Sequence, residues 1–218
     1  MSSLIKFIYG LIVGLLFSFL LIFLFNPQIN ERSIHNYLNK NPEKIDIISE
    51  IVEQTRKSAI KKQHIQIIKE NSSFFENQKF YIGNPEGSKI IYEFFDYNCG
   101  FCKRVFSDLM DLISENEDIK IVFIELPVLG QSSLLASKAA YEAFNEGKYF
   151  AMHQKLINHR GKITIEDIKV FAKEINIDPE SLINNINSSD IGFIKENYRI
   201  ADKLNINGTP TFIIGNEI

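Results

Sequence analysis

The stretch Glu93-Phe94-Phe95-Asp96-Tyr97-Asn98-Cys99-Gly100-Phe101-Cys102 constrains this chain more than any other. It begins inside an apolar run, Ile90 to Tyr97, that is rich in Ile, Phe and Tyr and short enough for a buried strand. It ends where a helical periodicity starts, running from Phe101 to Ser114 through Val105, Phe106, Leu109 and Ile113. The chain has 2 cysteines, three positions apart at this junction. A further apolar strand is expected from Ile119 to Leu126, ended by Pro127. Strand, helix and strand in that order demand a parallel pair.

A Cys pair at the start of a helix has a specific chemistry. Unpaired backbone N–H groups and the helix dipole favour a thiolate there. Thiols so placed in Cys-X-X-Cys motifs fall from about 8.5 to roughly 3.5–7.5. Cys99 is the expected nucleophile, and Cys102, one turn further on and more buried, the resolving thiol. A structural disulfide would close a loop too short to remove much chain entropy. A structural zinc site needs four ligands, and no second pair exists; His35, His64, His153 and His159 form no ligand motif. Two thiolates can also hold Cu(I), so a copper-binding or copper-tolerance protein is the alternative.

Two further residues join the candidate site. Glu93 stands in the apolar strand, aimed differently from Phe94 and Phe95, where burial would raise its pKa and let it relay a proton; a solvent-facing strand Glu is the competing reading. Thr209-Pro210 opens a last strand, Thr211 to Ile214, and Pro is confined to strand starts and edges. A cis bond before Pro210 would leave the preceding backbone free to pair with an extended peptide.

The rest of the chain supplies context. Leu4 to Phe25 is apolar apart from Lys6, long enough at about 1.5 Å per residue to cross a bilayer. A cleaved secretory signal competes with an anchor, but no small-x-small site follows Phe25. The expected arrangement is an anchor at 1–25, a helical stalk at 26–75 and an α/β domain at 76–218 with a helical insertion at about 132–204. In the stalk, Ile45, Ile48, Val52, Thr55 and Ala59 form a heptad-type stripe ending near Lys62, a candidate homo-oligomer surface over residues 42–62. Helix caps are expected at Thr164 and at Asp178-Pro179. The net charge of −3 carries no basic excess that would call for nucleic acid.

Taken together, Glu93 to Lys103, Glu125-Leu126-Pro127-Val128-Leu129-Gly130, Phe150-Ala151-Met152-His153 and Gly208-Thr209-Pro210-Thr211-Phe212 resemble the DsbA-type thiol–disulfide oxidoreductases of the thioredoxin superfamily. The resemblance implies a thioredoxin-like fold with a helical insertion and no cofactor beyond the Cys99–Cys102 disulfide. It also implies cis-Pro210, Glu93 as buried acid and His153 as a structural helix residue. Gly100, Phe101, Thr209 and Pro210 would touch substrate. The region from Tyr37 and Asn41-Pro42-Glu43 onward resembles the helical N-terminal part of the ScsC, or suppressor of copper sensitivity, branch, some members of which oligomerise and isomerise disulfides. The implied setting is a single-pass inner-membrane protein with its catalytic domain in the periplasm. It would act on unfolded or misoxidised proteins with a membrane redox partner. A scaffold acting only through its stalk is a third reading, under which both cysteines are dispensable.

Two departures matter. The dipeptide between the cysteines is Gly-Phe, not the Pro-His of strong oxidases, which favours isomerase or reductase work. The resemblance also implies a further strand and helix after Thr211–Ile214, so the sequence reads as shortened at its C-terminus.

Overall fold

The computed structural model describes residues 12–18, 31–215 and 217–218. The chain divides into two compact units, Met1–Lys57 and Ser58–Ile218. In the first, residues 12–18 are helical, and helix α1 (Glu31–Lys40) is followed at Asn41-Pro42 by the start of α2 (Glu43–Glu70). No residue of α2 is buried, and Ile45, Ile48 and Val52 of the stripe are exposed. The anchor expected over Leu4–Phe25 lies outside the described residues apart from 12–18. No helix among the described residues is long and apolar enough to cross a membrane.

The second unit, Ser58–Ile218, takes in the end of α2. The helical pattern weakens at Lys62, yet α2 continues to Glu70, and its Ile67 and Ile68 pack with Phe74 and Phe75 of α3 (Ser72–Glu76) against the sheet. These residues, inside the expected stalk of 26–75, pack in the domain core.

Four strands form one sheet in the order β1-β3-β2-β4: β1 (Tyr81–Gly83), β2 (Lys89–Phe95), β3 (Ile119–Glu125) and β4 (Thr211–Ile214). β2 and β3 are parallel, joined through α4 (Gly100–Glu115), while β1 and β4 run antiparallel to their neighbours. Five helices lie between β3 and β4: α5 (Gln131–Asn145), α6 (Tyr149–Asn158), α7 (Ile165–Glu174), α8 (Pro179–Ser188) and α9 (Gly192–Lys203). Thr164 caps α7 in a reciprocal capping box with Asp167, and Asp178 caps α8 ahead of Pro179.

Strand alternation divides the core. Ile91, Phe95, Ile121 and Phe123 join Cys102, Phe106 and Leu109 of α4 and the helices of the insertion. Phe94, Ile124 and Ile213 face the other way, onto Ile200 and Leu204. Glu93 has the parity of Ile91 and Phe95. It therefore shares a face with Phe95, contrary to the sequence expectation, and differs only from Phe94. That parity turns it toward the layer containing the cysteine helix.

Candidate active site

The loop from β2 to α4 is fixed by one carboxylate. Asp96 is buried; its Oδ1 accepts from the Asn98 N–H (2.7 Å) and the Ser133 hydroxyl (2.7 Å), and its Oδ2 accepts from the Leu129 N–H (2.9 Å). The Asp96 carbonyl accepts from the Cys99 N–H at 3.0 Å. This Asx-type turn ties the cysteine loop to the segment entering α5 and delivers Cys99 to the N-cap of α4. Sequence reasoning passed over Asp96, although Asp followed two residues later by Asn at a strand end is a turn signal.

Both cysteines are thiols and both are buried, Cys99 at 6% exposure and Cys102 at 1%. The Cys99 thiol donates to the Thr209 carbonyl at 3.1 Å, across 110 residues of sequence. Thr209-Pro210 has a cis peptide bond, and both residues are half-buried. Gly100 and Phe101 are exposed beside Cys99; the Phe101 ring lies under the Arg104 guanidinium, 4.3 Å from ring centroid to carbon.

The two thiols are held unequally. Burial opposes charge on Cys99, but the Thr209 side chain, the Cys102 N–H and thiol, and the Phe101 N–H together bring its pKa below the ordinary thiol value. Burial pushes Cys102 far up. Glu93, 3% exposed, is raised to about 8, first by burial and then by the charge of Cys99. These shifts separate a thiol drawn toward ionisation, a thiol held in its protonated form and a carboxyl raised to about 8.

A second buried polar group lies behind the loop. The Tyr97 hydroxyl donates to Glu125 Oε1 at 3.3 Å and sits 3.0 Å from Nδ1 of His153. Among the described residues, Glu125 Oε2 and His153 Nε2 have no hydrogen-bond partner. Burial raises Glu125 to about 8 and lowers His153 to about 3. The His153 ring stacks on Phe123 at 4.3 Å, so this residue is part of the core. Among the described residues, no group of three or more His, Cys, Asp or Glu side chains could hold a metal ion.

A family model described as thioredoxin matches residues 75–218. The chain belongs to the thioredoxin family, among its DsbA-like members. A thioredoxin-like oxidoreductase from Silicibacter pomeroyi DSS-3 is 34% identical, with a TM-score of 0.61 over 65% of this chain and 83% of that one. The thiol-disulfide exchange protein alpha-DsbA2 of Wolbachia pipientis is 31% identical, with a TM-score of 0.65 over 72% and 88%. The catalytic domain of Proteus mirabilis ScsC is 26% identical, with a TM-score of 0.62 over 70% and 86%. Among curated proteins, the chain spans 21% of the length of a Na(+)/H(+) antiporter NhaA 3 from Salinispora tropica, 23% identical over 135 residues that make up 61% of this chain.

In this thioredoxin-family site, Thr209 should set part of the acidity of Cys99. Thr209→Val removes the hydroxyl and keeps the carbonyl. The midpoint of Cys99 alkylation by iodoacetamide should move to higher pH. An unchanged midpoint would assign the acidity to the helix amides and the Cys102 thiol.

Proposed function

We propose that this chain is a protein thiol–disulfide exchange enzyme, with Cys99 as nucleophile, Cys102 as resolving thiol and Glu93 as proton relay. The observation that carries the reading is the contact of Cys99 with Thr209 at the tip of α4. It joins an acidified thiol to a strand start where an extended peptide can pair.

The steps balance. The Cys99 thiolate attacks one sulfur of a substrate disulfide; a Cys99–substrate bond forms, the substrate bond breaks, and the departing thiolate takes a proton. Cys102 then gives its proton to ionised Glu93 and attacks the Cys99 sulfur, closing Cys99–Cys102 and releasing the second substrate thiol. The net result is a reduced substrate and an oxidised enzyme. The reverse sequence oxidises a dithiol substrate, and departure of the first intermediate by attack of another substrate thiol isomerises it.

Gly100-Phe101 supplies no imidazole beside the thiolate, which favours isomerisation or reduction over disulfide donation. Substrates are unfolded or misoxidised proteins bound along Thr209-Pro210, beside Gly100 and Phe101. The setting is the periplasm, with residues 4–25 as a single inner-membrane anchor, a membrane protein as redox partner, and self-association through the exposed stripe of residues 42–62. Refolding of a scrambled multi-disulfide protein tests the activity: native substrate should recover well above the buffer rate, and no gain over buffer would sink the reading. The potential of the Cys99/Cys102 couple then sorts the direction, about −120 mV for an oxidase and about −270 mV for a reductase. Tight stoichiometric Cu(I) binding by the reduced protein without exchange would replace this reading with the copper one.

A further inference from the structure

Beside the cysteine loop lies a groove of about 1120 Å³ that the proposed chemistry does not use. It starts at Asn98, the residue before Cys99, passes Ser132 at the start of α5, and ends on the turn after α6. Four cations line it: Lys103 and Arg104 on the first turn of α4, and Arg160 and Lys162 across from them. No carboxylate among the described residues lines it. Among the described residues none of the four enters a salt bridge. Arg104, Arg160 and Lys162 are exposed. The Lys103 ammonium donates to the His159 carbonyl and lies in the field of Asp96 and Cys99, so the open charge of the wall rests on Arg104, Arg160 and Lys162. Two carboxylates touch lining residues: Asp96, buried beneath three hydrogen bonds, and Asp167, engaged with Thr164 and 3.6 Å from Nε2 of His159. The chain as a whole carries −3, so the positive wall is a local feature and not a property of the surface at large.

We infer that this groove selects acidic protein segments, holding aspartate or glutamate residues that flank the reacting cysteine of a substrate. The inference rests on the exchange reading above and names the substrate class for the same site. A cavity this large exceeds most small-ligand sites, and a peptide reaches about 3.3–3.6 Å per residue, so residues beside a sulfur at Cys99 extend into it. Opposite charge across an open groove acts mainly on encounter and register, and it weakens with salt.

The test uses the full chain carrying Cys102→Ser, so that the first intermediate persists. Cysteine peptides are supplied as 2-thiopyridyl disulfides, flanked by glutamates, serines or lysines. The Cys99 thiolate attacks the peptide sulfur, Cys99–S–S–peptide forms, and pyridine-2-thiolate leaves, takes a proton and is read by absorbance. At low salt the glutamate peptide should react about tenfold faster than the lysine peptide, with the ratio falling toward one as salt rises. Arg160→Glu with Lys162→Glu should abolish or invert the ratio, whereas Arg160→Lys with Lys162→Arg should keep it. Equal rates at low salt, or a ratio that survives charge reversal, overturn the inference and leave the exchange reading standing. Failure of every peptide to release the thiolate, the serine one included, would instead overturn the exchange reading itself.

Discussion

Cys99→Ser is expected to lower exchange with a protein disulfide by at least about 10³-fold, because an alcohol at this helix tip is neither ionised nor nucleophilic toward sulfur. Cys102→Ser should behave in the opposite way. It leaves the attacking thiol in place and removes the group that breaks the intermediate, so covalent Cys99–substrate adducts accumulate. The asymmetry follows from the two environments. Cys99 receives hydrogen bonds that favour its thiolate and meets the Thr209 carbonyl beside exposed Gly100 and Phe101. Cys102 is 1% exposed, and burial holds its proton. Non-reducing electrophoresis and mass spectrometry of each variant after mixing with a disulfide-bonded substrate read both outcomes. Adducts through Cys102 in the Cys99→Ser protein, or full activity of that protein, would reverse the assignment of roles.

The sequence made part of this site legible and hid the rest for a physical reason. Cys99 and Cys102 stood out because the apolar period changes from that of a strand to that of a helix at their position, and Thr209-Pro210 because proline marks a strand start. The caps at Thr164 and Asp178 could be read locally, since a cap involves residues three apart. Asp96 could be read locally only as a turn residue, through its bond to the Asn98 N–H, and not as the tie between two segments. Its partners Leu129 and Ser133 come from the far side of β3, and only the parallel register that sets Phe95 opposite Glu125 brings them near. The same register sets Tyr97 near Glu125, 28 positions away, and the packing of α6 on the sheet brings in His153, 56 positions from Tyr97. The packing of Ile67 and Ile68 was hidden because such residues look alike in a stalk and in a core until the sheet is there to receive them.

Those buried groups carry the second large effect, a stability maximum on the acid side of neutrality. Glu93 and Glu125 have folded-state pKa values of about 8 against 4.5 for the unfolded chain, so the folded protein keeps protons that the unfolded chain sheds. Their contribution is fully present below 4.5 and is lost as pH rises through 8. His153 has the opposite sign. Its folded value of about 3 lies under 6.5, so its contribution is present above 6.5 and is lost as pH falls through 3. Between 4.5 and 6.5 two carboxyls oppose one imidazole, and the carboxyls win. Stability from these three groups therefore peaks near pH 4.5 and declines toward pH 8, by on the order of 4 kcal/mol for each carboxyl. Glu125 is the cleaner one to remove, because Glu93 also answers to the charge on Cys99. Glu125→Gln stays neutral at every pH, and any fixed cost of burying the amide cancels in a comparison across pH. Urea unfolding at about pH 5 and about pH 8 should show the variant gaining on the parent by several kcal/mol at the higher value. Parallel curves for the two proteins would mean that Glu125 is ionised in the fold, and that the Tyr97–His153 pair compensates its charge.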